Sequence, residues 1–295
     1  MKIRFWGVRG SIPSPGAQTV RYGGNTTCIE VRTDAGALIV LDAGTGLFAL
    51  AQSLLKELPI EANIFITHTH WDHIQGLPFF SPLYIPGNAV RIFGAQDVVT
   101  GAGIERAMEV QLQYSYFPVR EVEMRAKIEY ENLQVGASVR IGDAMVTNSI
   151  LNHPVVNLGY RIDCNGKSVF FTGDHEPYFN IYEPGDKDFN EYQMLIEEKQ
   201  RMVDDAVRGV DLLIADCSYT DAEYQDKRGW GHGTFSASIA FARRCGARQL
   251  ICTHHEPTRA DDDLERAFDE ALSHCSLGPN DPVVSLAREG MEIEI

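Results

Sequence analysis

Thr67-His68-Thr69-His70-Trp71-Asp72-His73 decides the reading of this chain. The stretch grows out of Ile64-Phe65-Ile66, a short apolar run of the kind that forms a strand buried on both faces. Three histidines and one aspartate within six residues are costly to hold beside such a strand unless something binds them. Alternate side chains of an extended segment share a side, so His68 and His70 face one way. A turn at Trp71 sends Asp72 and His73 toward a second point close by. Imidazole and carboxylate together suit zinc, manganese or iron. A histidine-rich surface turn is the competing reading, and the position directly after a buried strand disfavours it.

Outward from this stretch the chain alternates strand and helix signals. Residues 2–8 read as a strand, 27–33 and 37–41 as a hairpin around Asp34-Ala35-Gly36, and Leu47 to Leu58 as a helix ending at Pro59. Residues 89–93 read as a further strand. The second half repeats the style, with strands at 138–149, 157–163 and 168–172 and a tight turn at Asn165-Gly166. A polar helix is expected at 189–208, a buried strand from Asp211 to Ala215, helices from Phe235 to Arg244 and at 261–275, and a strand at 249–253. Met291 to Ile295 alternates like an edge strand. Two such halves predict an α/β protein with two mixed sheets face to face, helices outside, and one domain over 1–295.

The 295 residues carry a formal net charge of -15, which disfavours polyanionic partners, because nucleic-acid affinity comes largely from Lys and Arg on phosphates. A small anion remains compatible, since a bound cation can outweigh a distant acidic surface. No apolar run reaches about 18 residues, so no membrane span is expected. Met1-Lys2-Ile3-Arg4-Phe5-Trp6 lacks the pattern of a signal peptide. Cys28, Cys164, Cys217, Cys245, Cys252 and Cys275 form no C-x-x-C pair. Reduced thiols in a cytoplasmic protein are the expectation.

The H-x-H-x-D-H string resembles the signature of the metallo-β-lactamase fold superfamily, and further motifs follow in that family's order. Leu41-Asp42-Ala43-Gly44 matches the first motif, His153 the third, Thr172-Gly173-Asp174 the fourth and Thr253-His254 the fifth. His255 competes with His254, and the position after Thr253 favours His254. The resemblance covers nearly the whole chain and implies an αββα sandwich. It implies that His68, His70 and His153 hold one metal, that Asp72, His73 and His254 hold another, that Asp174 bridges, and that Asp42 supports the site from behind. Two such ions, about 3.5–4 Å apart, can share a hydroxide formed at neutral pH and serving as nucleophile.

Gly231-His232-Gly233-Thr234, preceded by Asp211 to Asp216, resembles the phosphodiesterase branch of that superfamily, as do Phe5 to Pro13 and His73 to Pro78. That branch includes the tRNA 3′-end-processing endonuclease and phosphodiesterases of cyclic nucleotides and of phosphoribosyl cyclic phosphate. The resemblance implies Asp72, His232 and Asp216 as catalytic residues, with His232 a general acid or phosphate contact oriented by Asp216. A leaving alkoxide benefits from such an acid. The alternative is that His232 caps the following helix. About 20 residues separate His153 from Asp174, enough for a hairpin and too few for a tRNA-gripping arm. A small phosphodiester such as a cyclic nucleotide is therefore the expected substrate, with zinc or manganese, or else iron, as cofactor.

Some residues carry open readings. Tyr114, Tyr116, Phe117 and Pro118 either stack on a base or belong to core or interface. Arg9 is either a phosphate contact or an ordinary arginine at a strand end, and Asn25 either a ligand contact or a turn residue. The 176–208 segment reads as a lid or a homodimer contact. A thioesterase or lactonase on the same metal core, or a non-catalytic regulatory protein on this scaffold, are the rival functions, because a metal set does not choose its substrate.

Overall fold

The computed structural model describes residues 1–295. Its first half supplies β1 (Lys2–Gly7), β2 (Cys28–Arg32), β3 (Leu38–Leu41), α1 (Gly46–Leu54), β4 (Glu61–Phe65), α2 (Trp71–Ile74), β5 (Ala89–Ala95), α3 (Glu105–Gln111) and β6 (Lys127–Leu133). The second supplies β7 (Ser138–Ile141), β8 (Ala144–Leu151), β9 (Asn157–Cys164), β10 (Lys167–Phe171), α4 (Phe189–Val207), β11 (Leu212–Asp216), α5 (Asp221–Lys227), α6 (Phe235–Cys245), β12 (Gln249–Thr253), α7 (Asp261–Cys275) and β13 (Val283–Leu286), before β14 (Glu292–Glu294) returns to β1.

The strands form two mixed sheets of seven, β14-β1-β2-β3-β4-β5-β6 and β13-β12-β11-β10-β9-β8-β7. In each, pairing is antiparallel on one side and parallel on the other, the switch falling at β3–β4 and at β10–β11. Period-two alternation sorts the side chains into layers. Leu41, Phe65 and Phe93 point between the sheets and meet Tyr160, Phe171 and Ile214. Their neighbours Val40, Ile64 and Ile92 point outward under α1 and α3. Leu213, Leu250 and Phe170 do the same beneath α4, α6 and α7. Strands covered on both faces are largely apolar: β3 and β11 are buried at every position, and Asp216 at the end of β11 is their one polar residue.

The expected strand at 138–149 is two strands. Gly142 takes φ 56° and reverses the chain between β7 and β8, a turn hidden by the apolar residues on either side. Strand β6 and helix α3 carry weak patterns and were not anticipated; β6 is an edge strand with only Leu133 buried. Helix α4 lies over the outer face of the second sheet, anchored by Val203 and Val207. No helix is long and apolar enough to cross a membrane.

The sheets converge where the histidine motif begins. Tyr160 on β9 donates its hydroxyl to the Ile66 carbonyl at 2.6 Å, and the Leu158 amide donates to the Thr67 carbonyl at 2.9 Å. Parallel strands end here together, so the loops after β3, β4, β10, β11 and β12 open onto one crevice, the usual place for a ligand in such sheets.

Candidate metal centre and the histidine beside it

His70 is the last extended residue after β4, and the single helical turn α2 then reverses the chain. That turn carries Asp72 and His73 away from His68 and His70, so one short segment serves two points in space. The loop after β8 adds His153, the turn after β10 adds Asp174, and the residue after β12 adds His254. Two groups of donors result, His68, His70, His153 and Asp174, and Asp72, His73, Asp174 and His254, the ligand atoms of each lying within 4.8 Å of one another. His254 is held at φ 59° and faces this cluster, whereas His255 turns away and donates from Nε2 to the Ala287 carbonyl at 2.8 Å.

In the first group His70 Nδ1 lies 3.0 Å from His68 Nε2 and 3.2 Å from His153 Nε2, and Asp174 Oδ2 lies 3.5 Å and 3.9 Å from those two Nε2 atoms. In the second, His73 Nε2 is 3.2 Å from both Asp72 Oδ2 and Asp174 Oδ1, and His254 Nε2 is 3.3 Å and 3.1 Å from the same two oxygens. Tetrahedral zinc with bonds of about 2.0–2.1 Å places its ligands roughly 3.4 Å apart. Both groups have edges of that length. His73 Nε2 and Asp174 Oδ1 are fully enclosed and yet have no hydrogen-bond partner. They lie close without being aligned on each other, so a cation between them is what would satisfy both. The donor set therefore fits two divalent cations sharing Asp174.

The outward-facing atoms fix the inward ones. His73 Nδ1 donates to Asp42 Oδ2 at 2.7 Å, His153 Nδ1 to the Gly231 carbonyl at 2.9 Å, and His254 Nδ1 lies 2.9 Å from the Ser218 hydroxyl. With a cation bound, these contacts would keep the ring proton on Nδ1 and leave Nε2 free to face it, the support expected of metal-binding imidazoles. Asp42 also accepts from the Thr67 amide and hydroxyl. Asp72 Oδ2 accepts from the Ser11 amide at 2.7 Å. Gly10 must be glycine, because a Cβ there would sit 2.3 Å from the His254 ring.

Electrostatics follow from the crowding. Burial alone would raise the Asp174 carboxyl, but His254, His73 and His68 hold it well below the usual carboxylate range. Burial likewise opposes charge on His73, and Asp174, Asp72 and Asp42 overcome it. Burial, reinforced by His73, keeps His68 neutral. Protons on His73 and His254 balance the carboxylates wherever no cation does.

His232 stands at the rim. Thr234, not His232, caps α6, its hydroxyl accepting from the Ala237 amide at 3.1 Å. His232 is thereby left to donate from Nδ1 to Asp216 Oδ2 at 2.9 Å, with its ring stacked on that of His254 at 4.8 Å. Burial works against its charged form, but Asp216 and Asp174 prevail and lift it to about 9. Asp216 also accepts from the His175 amide and the Ser218 hydroxyl, so its oxygens are committed to holding the loop. Glu176, unremarked in the sequence, is buried and accepts from the Gly229 and Gly231 amides at 2.7 and 2.9 Å and from the Tyr224 hydroxyl. It pins the loop that supplies both the Gly231 carbonyl and the His232 ring. No pattern near Glu176 signals this, because its partners lie more than forty residues away.

Other candidates fall outside the cluster. Arg9 is fully buried and gives its guanidinium to the Gly23 and Arg259 carbonyls and to Asp261. It ties the N-terminal strand to α7 and cannot reach a substrate. Asn25 binds Glu289 through its amide and side chain. Tyr114 and Tyr116 are largely exposed, and Phe117 packs edge-on against Phe79.

Comparisons with known proteins bear on the family and the fold. The family profile described as a beta-lactamase superfamily domain matches residues 38–255. A ribonuclease Z of Methanopyrus kandleri is 24% identical over 314 residues, spanning 99% of this chain and 97% of its own. Among solved structures, zinc-bound PqqB from Methylobacterium extorquens superposes with a TM-score of 0.68 at 14% identity, over 100% of both chains. A diphosphatase of the PhnP family gives 0.64 at 19%, over 100% of this chain and 97% of its own. At these identities the structures speak for the fold alone. The profile spans most of the chain and includes Asp42, the H-x-H-x-D-H string, His153, Asp174, His232 and His254, and so this chain belongs to the metallo-β-lactamase superfamily of hydrolases.

Proposed function

We propose that this chain is a dinuclear metal-dependent phosphodiesterase acting on a small phosphodiester. His68, His70 and His153 would hold one cation and Asp72, His73 and His254 the other, with Asp174 within reach of both. Zinc or manganese, with iron third, suits these donors. Once bound, the cations supply a nucleophilic oxygen at neutral pH and neutralise charge on the substrate. The chain's own residues position and protonate. His70 is the exposed member of the first group, and a phosphoryl group enters on its side. Asp72 holds a cation and, anchored by the Ser11 amide, stays in the reacting region.

The observation that carries the phosphodiester reading is the His232–Asp216 pair. Asp216 accepts a hydrogen bond from Nδ1–H, which leaves the Nε2 proton of the charged ring free for an oxygen leaving group. Cations would offset the contribution of Asp174 to the His232 charge and leave that of Asp216. Thioesters need no such acid, since a thiolate departs more readily than an alkoxide. Two features support a small substrate. The net charge is -15, and the segment between His153 and Asp174 is only the β9–β10 hairpin.

The second reading is RNA cleavage, favoured by the full-length match to a protein named ribonuclease Z. Zinc- or manganese-loaded protein should be offered bis(p-nitrophenyl) phosphate, cyclic nucleotides and a structured RNA. The proposal expects turnover of the small esters and, for the cyclic nucleotides with their alkoxide leaving group, a fall of about 10²–10⁴ in kcat for His232→Ala. Turnover of thioesters that survives His232→Ala, with none of any phosphodiester, overturns it.

A further inference from the structure

A cavity of about 860 Å³ adjoins the first metal group, with His68 and His153 forming part of its wall. Its size is that of a pocket for a small organic ligand, about 300–1,000 Å³. Of its 28 lining residues 16 are hydrophobic, and the walls are built by Ile66, Ala95, Ile104, Ala107, Val110 and Val156. They come from the ends of β4 and β5, from α3 and from the β8–β9 connection, so both sheets contribute. Two aromatic rings border it: Trp71, 60% exposed, and Tyr178, whose ring meets His175 edge-on at 6.2 Å. Tyr114 and Tyr116 do not line it.

We infer that this cavity receives an aliphatic substituent of the substrate, attached to the phosphoryl group that the metal cluster holds. The inference rests on the phosphodiesterase reading for the headgroup and on the cavity for the rest. A purely polar phosphodiester would leave a large apolar wall wet beside the reacting centre. A nucleobase would want stacked ring faces or paired polar edges; Trp71, Tyr178 and polar residues such as Gln96 and Gln111 are outnumbered here by aliphatic side chains, which favours a chain over a base. Each methylene buried there strengthens binding about two- to fourfold.

The test uses zinc-loaded protein and alkylphosphonates, with affinities from calorimetry and no turnover required. From methyl- to butyl-, hexyl- and octylphosphonate the Kd should fall, about a hundredfold or more across the series. Val110→Trp, which fills the cavity from α3, should abolish that gain and leave methylphosphonate unchanged. Ile150→Trp fills it from β8 and repeats the measurement should the first variant misfold. A Kd independent of chain length overturns the inference, as does a gain that survives both variants. Thymidine 5′-monophosphate binding more tightly than octylphosphonate, and weakening in Val110→Trp, would give the cavity to a base and also overturn it. Separately, bis(p-nitrophenyl) phosphate reports on the headgroup reading. Turnover with no chain-length effect sinks only the cavity assignment, and a chain-length effect without turnover of any ester supports the cavity and sinks the phosphodiesterase.

Discussion

Asp42→Asn isolates the contribution of a residue that touches no substrate. Asp42 is fully buried at φ 59° and accepts from the Thr67 amide at 2.7 Å, the Thr67 hydroxyl at 2.9 Å and His73 Nδ1 at 2.7 Å. Asparagine tolerates that backbone conformation at least as well as aspartate, so the turn is kept. The side chain keeps its volume but loses one acceptor. Its carbonyl oxygen must remain on the Thr67 amide, and the NH₂ group then faces His73. A donor there forces the proton of His73 from Nδ1 to Nε2, the atom 3.2 Å from both Asp72 and Asp174. A protonated Nε2 cannot bind a cation. Loss of such support lowers metal affinity about 10- to 100-fold, roughly 1.4–2.8 kcal/mol. Competition with a chelator, read by native mass spectrometry, should show the second site weakened by that factor and the first retained. Asp42→Ala strands three donors and should also cost about 3 kcal/mol or more of stability, at 1–3 kcal/mol each. Two sites of unaltered affinity in Asp42→Asn would refute the tautomer argument.

The remaining expectations rest on other parts of the structure. Gly231 has φ +91°, and a Cβ there would lie 2.3 Å from His153 Nδ1. Gly231→Ala should therefore displace His153 and lower metal content from two ions to one, with a strain cost of about 1–3 kcal/mol visible in thermal melts. His255 and His175 are buried neutral, burial pressing them to about 3 and about 4. The unfolded chain protonates both below about 6.5, so stability present above that pH is lost as pH falls toward 4, at about 1.4 kcal/mol per unit for each histidine. Denaturant titrations of wild type and His255→Asn, compared between pH 7 and 5, should differ in slope by about that amount; equal slopes would exclude His255. Chelation should lower the melting temperature and zinc should restore it, because ions that bind only the folded state stabilise it; an unchanged melt would argue against the paired-cation site.

The sequence by itself determined more of the donors than of the surroundings. His68, His70, Asp72 and His73 are legible because ligands clustered next to a buried strand violate the rule that polar groups avoid such places, and the violation is local. The two-sheet architecture is legible for a similar reason, since alternation and apolar runs are properties of short windows. The β7–β8 turn was missed because Gly142-Asp143 lies inside a stretch that reads as one alternating strand. What only the tertiary structure decided are contacts between residues distant in the chain. Arg9 is a buried tie to α7, Glu176 pins the loop of His232, Thr234 frees His232 from capping, and an aliphatic cavity opens beside His153. Each depends on which surfaces the packing brings together, and hydrogen bonds across forty or two hundred residues leave no periodicity in the chain to announce them.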